Sequence, residues 1–294
     1  MISVYQHTDF KDALKDSEEK IITISNTYHA VEKTISTPFG ERKILEARGT
    51  PSTMDAKEFM KLSKSYFYGT ISPCVLDLKP EMFYKIGFKR VINNTILIDL
   101  RKDEEELMKN LEKKSARWGV RKAEKEGLKF EAISNDEEFK SFYKMYRLTA
   151  KNGGFKAESY GFIKKLVKSD IAKLFVIKKK EKVVAGGMIL IDKSNNYSIL
   201  DLTSSTDEGL KLQAMPFLYW NLMTYSKKQG LEYFDLGGYD KEAKEGDKTH
   251  NINKFKERFG GIIKEQPIYS SNWKYPFFRG LMKKMRILKR LYKK

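Results

Sequence analysis

Between Asp136 and Ser271 the chain reads helix, helix, strand, strand, strand, helix, strand, helix, strand, and this order restricts its fold more than any other feature. Asn135 and Asp136 cap a first helix that runs through EEFKSFYKMYRLTAKN and stops at Gly153–Gly154. A second helix covers Tyr160–Lys168. Two apolar strands, LFVIKKK and VVAGGMILI, follow on either side of a charged turn at Lys180–Lys182, and YSILDLTSS supplies a third strand. A long helix is predicted over about Lys211–Gln229, stopped by Gly230. The strand LEYFDL then runs into Gly237–Gly238. The loop YDKEAKEGDKTHN leads to a short helix, INKFKERF, stopped by Gly260–Gly261. One last strand region, IIKEQPIYSS, completes the unit. Helices and strands mixed in this way predict an α+β fold, a mixed sheet flanked by helices.

The earlier part of the chain is less regular. IITIS and ERKILEARG read as strands around a turn at Pro38–Gly40, before a helix from about Met54 to Tyr66. VLDL and ILIDL have strand character around a helical patch at Glu81–Ile86. From Asp103 to Gly127 a single helix is expected, with Asp103 as N-cap, acids in the first turn and Gly127 at its stop. A chain of 294 residues, 40% hydrophobic, has material for two compact domains.

Charge and absences narrow the function. With 57 Lys+Arg against 39 Asp+Glu, the formal net charge is +18, which favours polyanionic partners such as tRNA, a diphosphate-bearing substrate or an anionic membrane. A basic surface without a specific partner explains the same number. No stretch approaches the roughly 20 apolar residues of a membrane-spanning helix, and the first twenty residues lack an apolar signal core. A cytoplasmic location is therefore expected, and the single cysteine, Cys74, suits a reducing compartment. Three histidines without metal-ligand spacing, no GxSxG and no GxxxxGKS leave no metal or organic cofactor implied.

Three groups of residues carry candidate chemistry. Lys113, Arg117 and Arg121 recur every four residues, and Lys114, Lys122, Lys125 and Trp118 widen the band. A basic stripe with an aromatic neighbour suits phosphates or a stacked base. A solvated face salted by Glu112, Glu124 and Glu126 is the plain alternative. FDLGG, Phe234–Gly238, is a strand ending in paired glycines, where the backbone turns or another group approaches closely, with Asp235 facing either a cleft or solvent. FKERFGG, Phe255–Gly261, places Lys256 on a short helix after the loop 239–253 that holds His250. Lys256 there suits donation to a developing oxyanion, and Arg258 competes for that role.

Together, ILIDLRKDEEELMKNLEKKSARWGVRKAEKEGLKFE (Ile96–Glu131), FDLGG and NKFKERFGG resemble the FemABX family of aminoacyl-tRNA-dependent peptidyltransferases, in that family's order and spacing. The resemblance covers about Ile96–Tyr269, is loose over the first 95 residues, and lacks an inserted coiled-coil arm. It implies two GNAT-like (acyl-CoA N-acyltransferase-like) domains. On this reading residues 1–131 form a degenerate first domain completed by 272–294, and 132–271 form the second. It further implies transfer of an amino acid from aminoacyl-tRNA to an amine of a UDP- or lipid-linked cell-wall peptide precursor. The family's active-site Phe–Lys pair matches Phe255 and Lys256, with Lys256 stabilising the oxyanion and Asp235 as the candidate base.

Three rival readings remain. An ordinary CoA-dependent GNAT enzyme carries Q/R-x-x-G-x-G/A at its strand-to-helix turn. Here Thr206 and Lys211 stand where the first and last of those residues should be, beside Gly209. Aminoacylation of a lipid headgroup and a non-catalytic binding module are the others. Arg279–Lys294 holds eight basic residues and no acid, with Phe278, Leu281, Met285, Leu288 and Tyr292 at helical spacing. Such a segment suits peripheral contact of 277–294 with an anionic membrane, or docking on the first domain.

Overall fold

The computed structural model of the chain describes residues 3–38 and 40–281. It divides into two compact units, Asn94–Lys264 and the segments that flank it up to Asn93 and from Glu265. Each holds a mixed sheet flanked by helices, the α+β architecture the element order predicts.

The flanking unit opens with α1 (Thr8–Leu14), β1 (Lys20–Thr23), β2 (His29–Thr37), β3 (Gly40–Arg48), α2 (Thr53–Leu62), β4 (Gly69–Ser72), α3 (Pro80–Ile86) and β5 (Lys89–Val91). Helix α2 carries a reciprocal capping box between Ser52 and Asp55. The expected strand VLDL is instead a turn. Asp77 N donates to Cys74 O at 3.0 Å, and the Thr50 hydroxyl donates to Asp77 O and accepts from Cys74 N. These bonds satisfy the backbone that a neighbouring strand would otherwise serve.

The unit Asn94–Lys264 contains β6 (Asn94–Asp99), α4 (Glu104–Asn110), α5 (Trp118–Lys125), β7 (Leu128–Ala132), α6 (Asp136–Gly153), α7 (Tyr160–Val167), β8 (Ala172–Lys179), β9 (Lys182–Asp192), β10 (Tyr197–Ser205), α8 (Asp207–Lys211), α9 (Ala214–Lys228), β11 (Tyr233–Tyr239), α10 (Lys248–Glu257) and β12 (Ile262–Glu265). Its sheet runs β12-β6-β11-β10-β9-β8-β7. The caps at Asn135 and Gly154 stand where the sequence puts them: Asn135 accepts from Glu137 N and Glu138 N, and Gly154 is left-handed. Helix α9 buries Leu218, Leu222 and Met223 completely, and each such side chain contributes about 1.5–3 kcal/mol.

One helix expected to be single, over Asp103–Gly127, is broken. Asp103 does cap α4, but the backbone is extended at Leu111 (ψ 137°) and at Glu112 (ψ 120°), which sends the Leu111 side chain into the core. A π turn at Lys113–Arg117 then leads into α5. The helix expected over about Lys211–Gln229 is α9, which begins at Ala214 because Gln213, at φ +61°, separates it from the short α8 before it. Gly119 of α5 lies against this break. A Cβ there would meet Pro216 Cγ at 2.9 Å and Gln213 Oε1 at 3.1 Å, so glycine is what lets α5 and α9 approach.

The region IIKEQPIYSS does not complete one unit as expected, because it divides between two sheets. Ile262–Glu265 is β12, whereas β13 (Ile268–Ser270) pairs with β4 and β5 of the flanking unit, whose sheet runs β1-β2-β3-β4-β13-β5. Tyr269 stacks on Phe83 there at 3.9 Å between ring centroids. The units accordingly divide at 93/94 and 264/265 rather than after residue 131, since β6, α4, α5 and β7 all pack in the central unit. Residues 274–281 are helical, and Phe278 meets Phe67 edge-on at 6.3 Å. The remainder of the basic tail lies outside the described residues. Among the described residues no helix is long and apolar enough to cross a membrane.

Candidate functional site

Strands β10 and β11 pair in parallel only from Tyr197–Tyr233 to Ile199–Asp235. At that level both deviate: β10 bulges between Leu200 and Leu202 against β9, and β11 shifts register between Asp235 and Gly238 against β6. Bulges end pairing and re-aim side chains. The parting strands border a cleft of about 870 Å³, lined by Leu200, Asp201 and Thr203 on one side and Leu236, Gly237 and Gly238 on the other. Phe255 and Lys256 of α10 and Tyr219 of α9 complete its wall.

Lys256 and the glycine pair, 18 positions apart in sequence, are brought together. The Lys256 ammonium donates to Gly238 O at 2.9 Å. Gly237 sits at φ +78°, the left-handed region that suits glycine, and a Cβ there would lie 3.6 Å from Lys256 Nζ. Burial lowers the Lys256 pKa to about 8, partly opposed by the negative charge of Asp235. The side chain is therefore half-buried, cationic at neutral pH and close to losing its proton.

Asp235 lies beneath this bend. It is 2% exposed and is not among the residues that line the cleft. Its Oδ1 accepts from the hydroxyl of buried Thr95 and, at 2.7 Å, from Gly237 N. Burial raises its pKa, against these two hydrogen bonds and the Lys256 charge. The carboxylate thus holds the Gly237 turn, and the carboxylate among the lining residues is Asp201. Nothing in the FDLGG motif distinguishes these two aspartates, because the decisive fact is which strand parts from its neighbour.

Phe255 packs edge-on against Tyr219 at 5.1 Å and separates the cleft from a second cavity of about 310 Å³. Tyr219 is buried, and desolvation pushes its pKa up to about 12. Neither Tyr219 nor Thr203 was flagged by a motif; the alternation of YSILDLTSS, which faces Asp201, Thr203 and Ser205 one way, is the signal that bears on them. His250 stands in the first turn of α10, which begins at Lys248 rather than after the loop 239–253 expected to hold it; its Nδ1 is 3.4 Å from Ala243 O, and it is not a lining residue. That loop is tied down where Asn253 Nδ2 donates to Asp240 O at 2.7 Å.

The basic stripe is not one continuous face. The π turn at Lys113–Arg117 breaks the four-residue spacing, and Arg117 donates to Lys109 O and, at 3.0 Å, to Leu111 O, closing the carboxyl end of α4. Lys113 and Arg121 stay exposed. Arg258 pairs with Glu112 at 3.5 Å and lines the second cavity together with Lys114 and Trp118.

The description of the Acetyltransferase (GNAT) domain matches residues 112–245 of the chain. Among solved structures, a FemX is similar at 14% identity and TM-score 0.66, covering 94% of this chain and 93% of that one. The C-terminal domain of an Agrobacterium fabrum protein described as a lysylphosphatidylglycerol synthetase is similar at 11% identity and TM-score 0.66, with 95% and 91% covered. L-PGS from Bacillus licheniformis is similar at 15% identity and TM-score 0.62, with 99% and 98% covered. No curated protein matches the sequence. The fold is GNAT-like.

Proposed function

We propose that the chain transfers an aminoacyl group from aminoacyl-tRNA to an amine, the acceptor being a UDP- or lipid-linked cell-wall peptide precursor of the kind used by the FemABX family. The observation that carries this reading is Lys256, half-buried at the mouth of the parted strands and hydrogen-bonded to Gly238 O. Attack of an amine on an aminoacyl ester creates an oxyanion at the carbonyl oxygen. A cation already desolvated in the cleft stabilises that charge more in the transition state than in the ground state.

In this scheme Phe255 packs beside the reacting carbonyl and Lys256 donates to the oxyanion. Asp201 accepts the proton that the attacking amine loses, and the 3′ hydroxyl of the RNA leaves with a proton from solvent. Asp235 serves by position, fixing the Gly237–Gly238 bend against which Lys256 rests. The missing Q/R-x-x-G-x-G/A pattern, with Thr206 and Lys211 in place of its first and last residues, argues against a pyrophosphate cradle for CoA. The same fold appears in proteins named for FemX and for lysylphosphatidylglycerol synthesis, so a lipid headgroup amine is the second acceptor to test.

Replacing Lys256 with Met separates an enzyme from a binding module. Loss of turnover with RNA binding retained supports catalysis at this cleft, and unchanged turnover contradicts it.

A further inference from the structure

The helix at 274–281 packs with only one of its faces. Tyr275 meets Tyr68 at 5.1 Å between ring centroids and Phe278 meets Phe67, so the docked side is filled by aromatic contacts within the flanking unit. Trp273 and Phe277 stand on the other side. They are one helical turn apart, Phe277 N donating to Trp273 O at 3.1 Å, and their rings meet edge to face at 5.7 Å. Trp273 is 62% and Phe277 63% exposed. Apolar side chains scattered singly on a surface need no partner, but two aromatics held against each other at this exposure form a patch.

Charge and composition select the partner. After Gly280 the chain runs LMKKMRILKRLYKK, seven cations and seven apolar or aromatic residues with no acid. A second copy of the chain would bring two such cationic segments together, at a repulsive cost. An RNA would use the cations and the rings but not the aliphatic Leu281, Ile287, Leu288 and Leu291. An anionic bilayer uses all three, with aromatic rings at the headgroup level, aliphatic side chains below it and cations on the phosphates.

We infer that Trp273, Phe277 and the basic segment that follows them form the surface by which the protein binds an anionic lipid bilayer. The surface belongs to the flanking unit, whereas Lys256 and Asp201 belong to the central one, so the inference stands apart from the transfer reading. It bears on that reading in one respect: a protein held at a bilayer meets lipid-linked acceptors before soluble ones.

The test is cosedimentation of the full chain with vesicles of phosphatidylcholine alone and of phosphatidylcholine mixed with phosphatidylglycerol. The native protein is expected to bind the mixed vesicles but not the neutral ones, and to be released by high salt. Trp273→Ala combined with Phe277→Ala is expected to weaken binding about tenfold. Lys283→Gln and Lys284→Gln should each weaken it about fivefold. Mixed vesicles with brominated acyl chains should quench the native tryptophan emission, and Trp273→Phe should still bind while losing that quenching. Both aromatic side chains are exposed, so these variants are expected to fold, and circular dichroism checks this. Failure to bind the mixed vesicles, binding by the double variant as tight as native, or quenching that survives Trp273→Phe overturns the inference. So does an RNA complex or a dimer that the double variant abolishes while vesicles go unbound, since the patch then serves that partner. Amino-acid transfer without vesicle binding removes the membrane surface and leaves the catalytic reading; vesicle binding without transfer does the reverse.

Discussion

Lys256→Met is expected to make the protein more stable and less active at once, and the size of the gain follows from the site. Burial moves the Lys256 pKa from 10.5 to about 8, and at 1.36 kcal/mol per unit this corresponds to about 3 kcal/mol for holding the charge in the folded state. The attraction to Asp235 is already contained in that shift, and losing the hydrogen bond to Gly238 O offsets about 1 kcal/mol. The net gain is about 2 kcal/mol, or roughly 4–8 °C in melting temperature for a domain of this size. The sign depends on pH. Below about 8 both folded and unfolded chains hold the proton, and the folded one bears the full penalty. Between about 8 and 10.5 the folded amine is neutral while the unfolded one stays charged, so native stability rises with pH. The advantage of Lys256→Met is therefore greatest near pH 7 and closes toward pH 10.5, as differential scanning calorimetry at several pH values would show. A variant that is less stable than native at pH 7, or whose advantage does not change with pH, refutes the picture of a desolvated cation. In turnover the same variant is expected to lose about 10²–10³-fold, the effect of removing one oxyanion donor.

Further outcomes are expected. Asp201→Asn should lower turnover about 10²–10⁴-fold while leaving RNA affinity unchanged, measured by single-turnover kinetics. Thr95→Val leaves the buried Asp235 carboxylate with only the Gly237 N–H on Oδ1; it should cost about 1–3 kcal/mol in urea unfolding. Gly119→Ala drives a methyl into Pro216 and should cost about 1–3 kcal/mol by the same assay, a loss that Pro216→Ala partly recovers.

Much of the central unit was legible because its signals are local. The cap at Asn135, the stop at Gly154 and the apolar runs of β8, β9 and β10 need no distant partner to be read. What the sequence concealed depends on distant partners. The helix expected over 103–127 breaks because Leu111 enters the core and Arg117 satisfies the carbonyls left behind, so a residue read as a phosphate ligand is a helix cap. IIKEQPIYSS reads as one strand region, yet Gln266–Pro267 carries the chain from one sheet to the other. At the site, Lys256 and the glycine pair could each be picked out from motifs, but their contact closes over a loop whose length says nothing of geometry. Asp235 and Asp201 each alternate with apolar neighbours, and only the parting of β10 from β11 separates a buried turn-holder from a cleft residue.

The most direct test is a transfer assay with total charged tRNA, labelled amino acids and a UDP-linked muramyl pentapeptide, run with and without RNase. The account predicts a mass increase of one amino acid on the peptide that RNase abolishes. An unmodified peptide, with an amine acylated from acetyl-CoA instead, would contradict it.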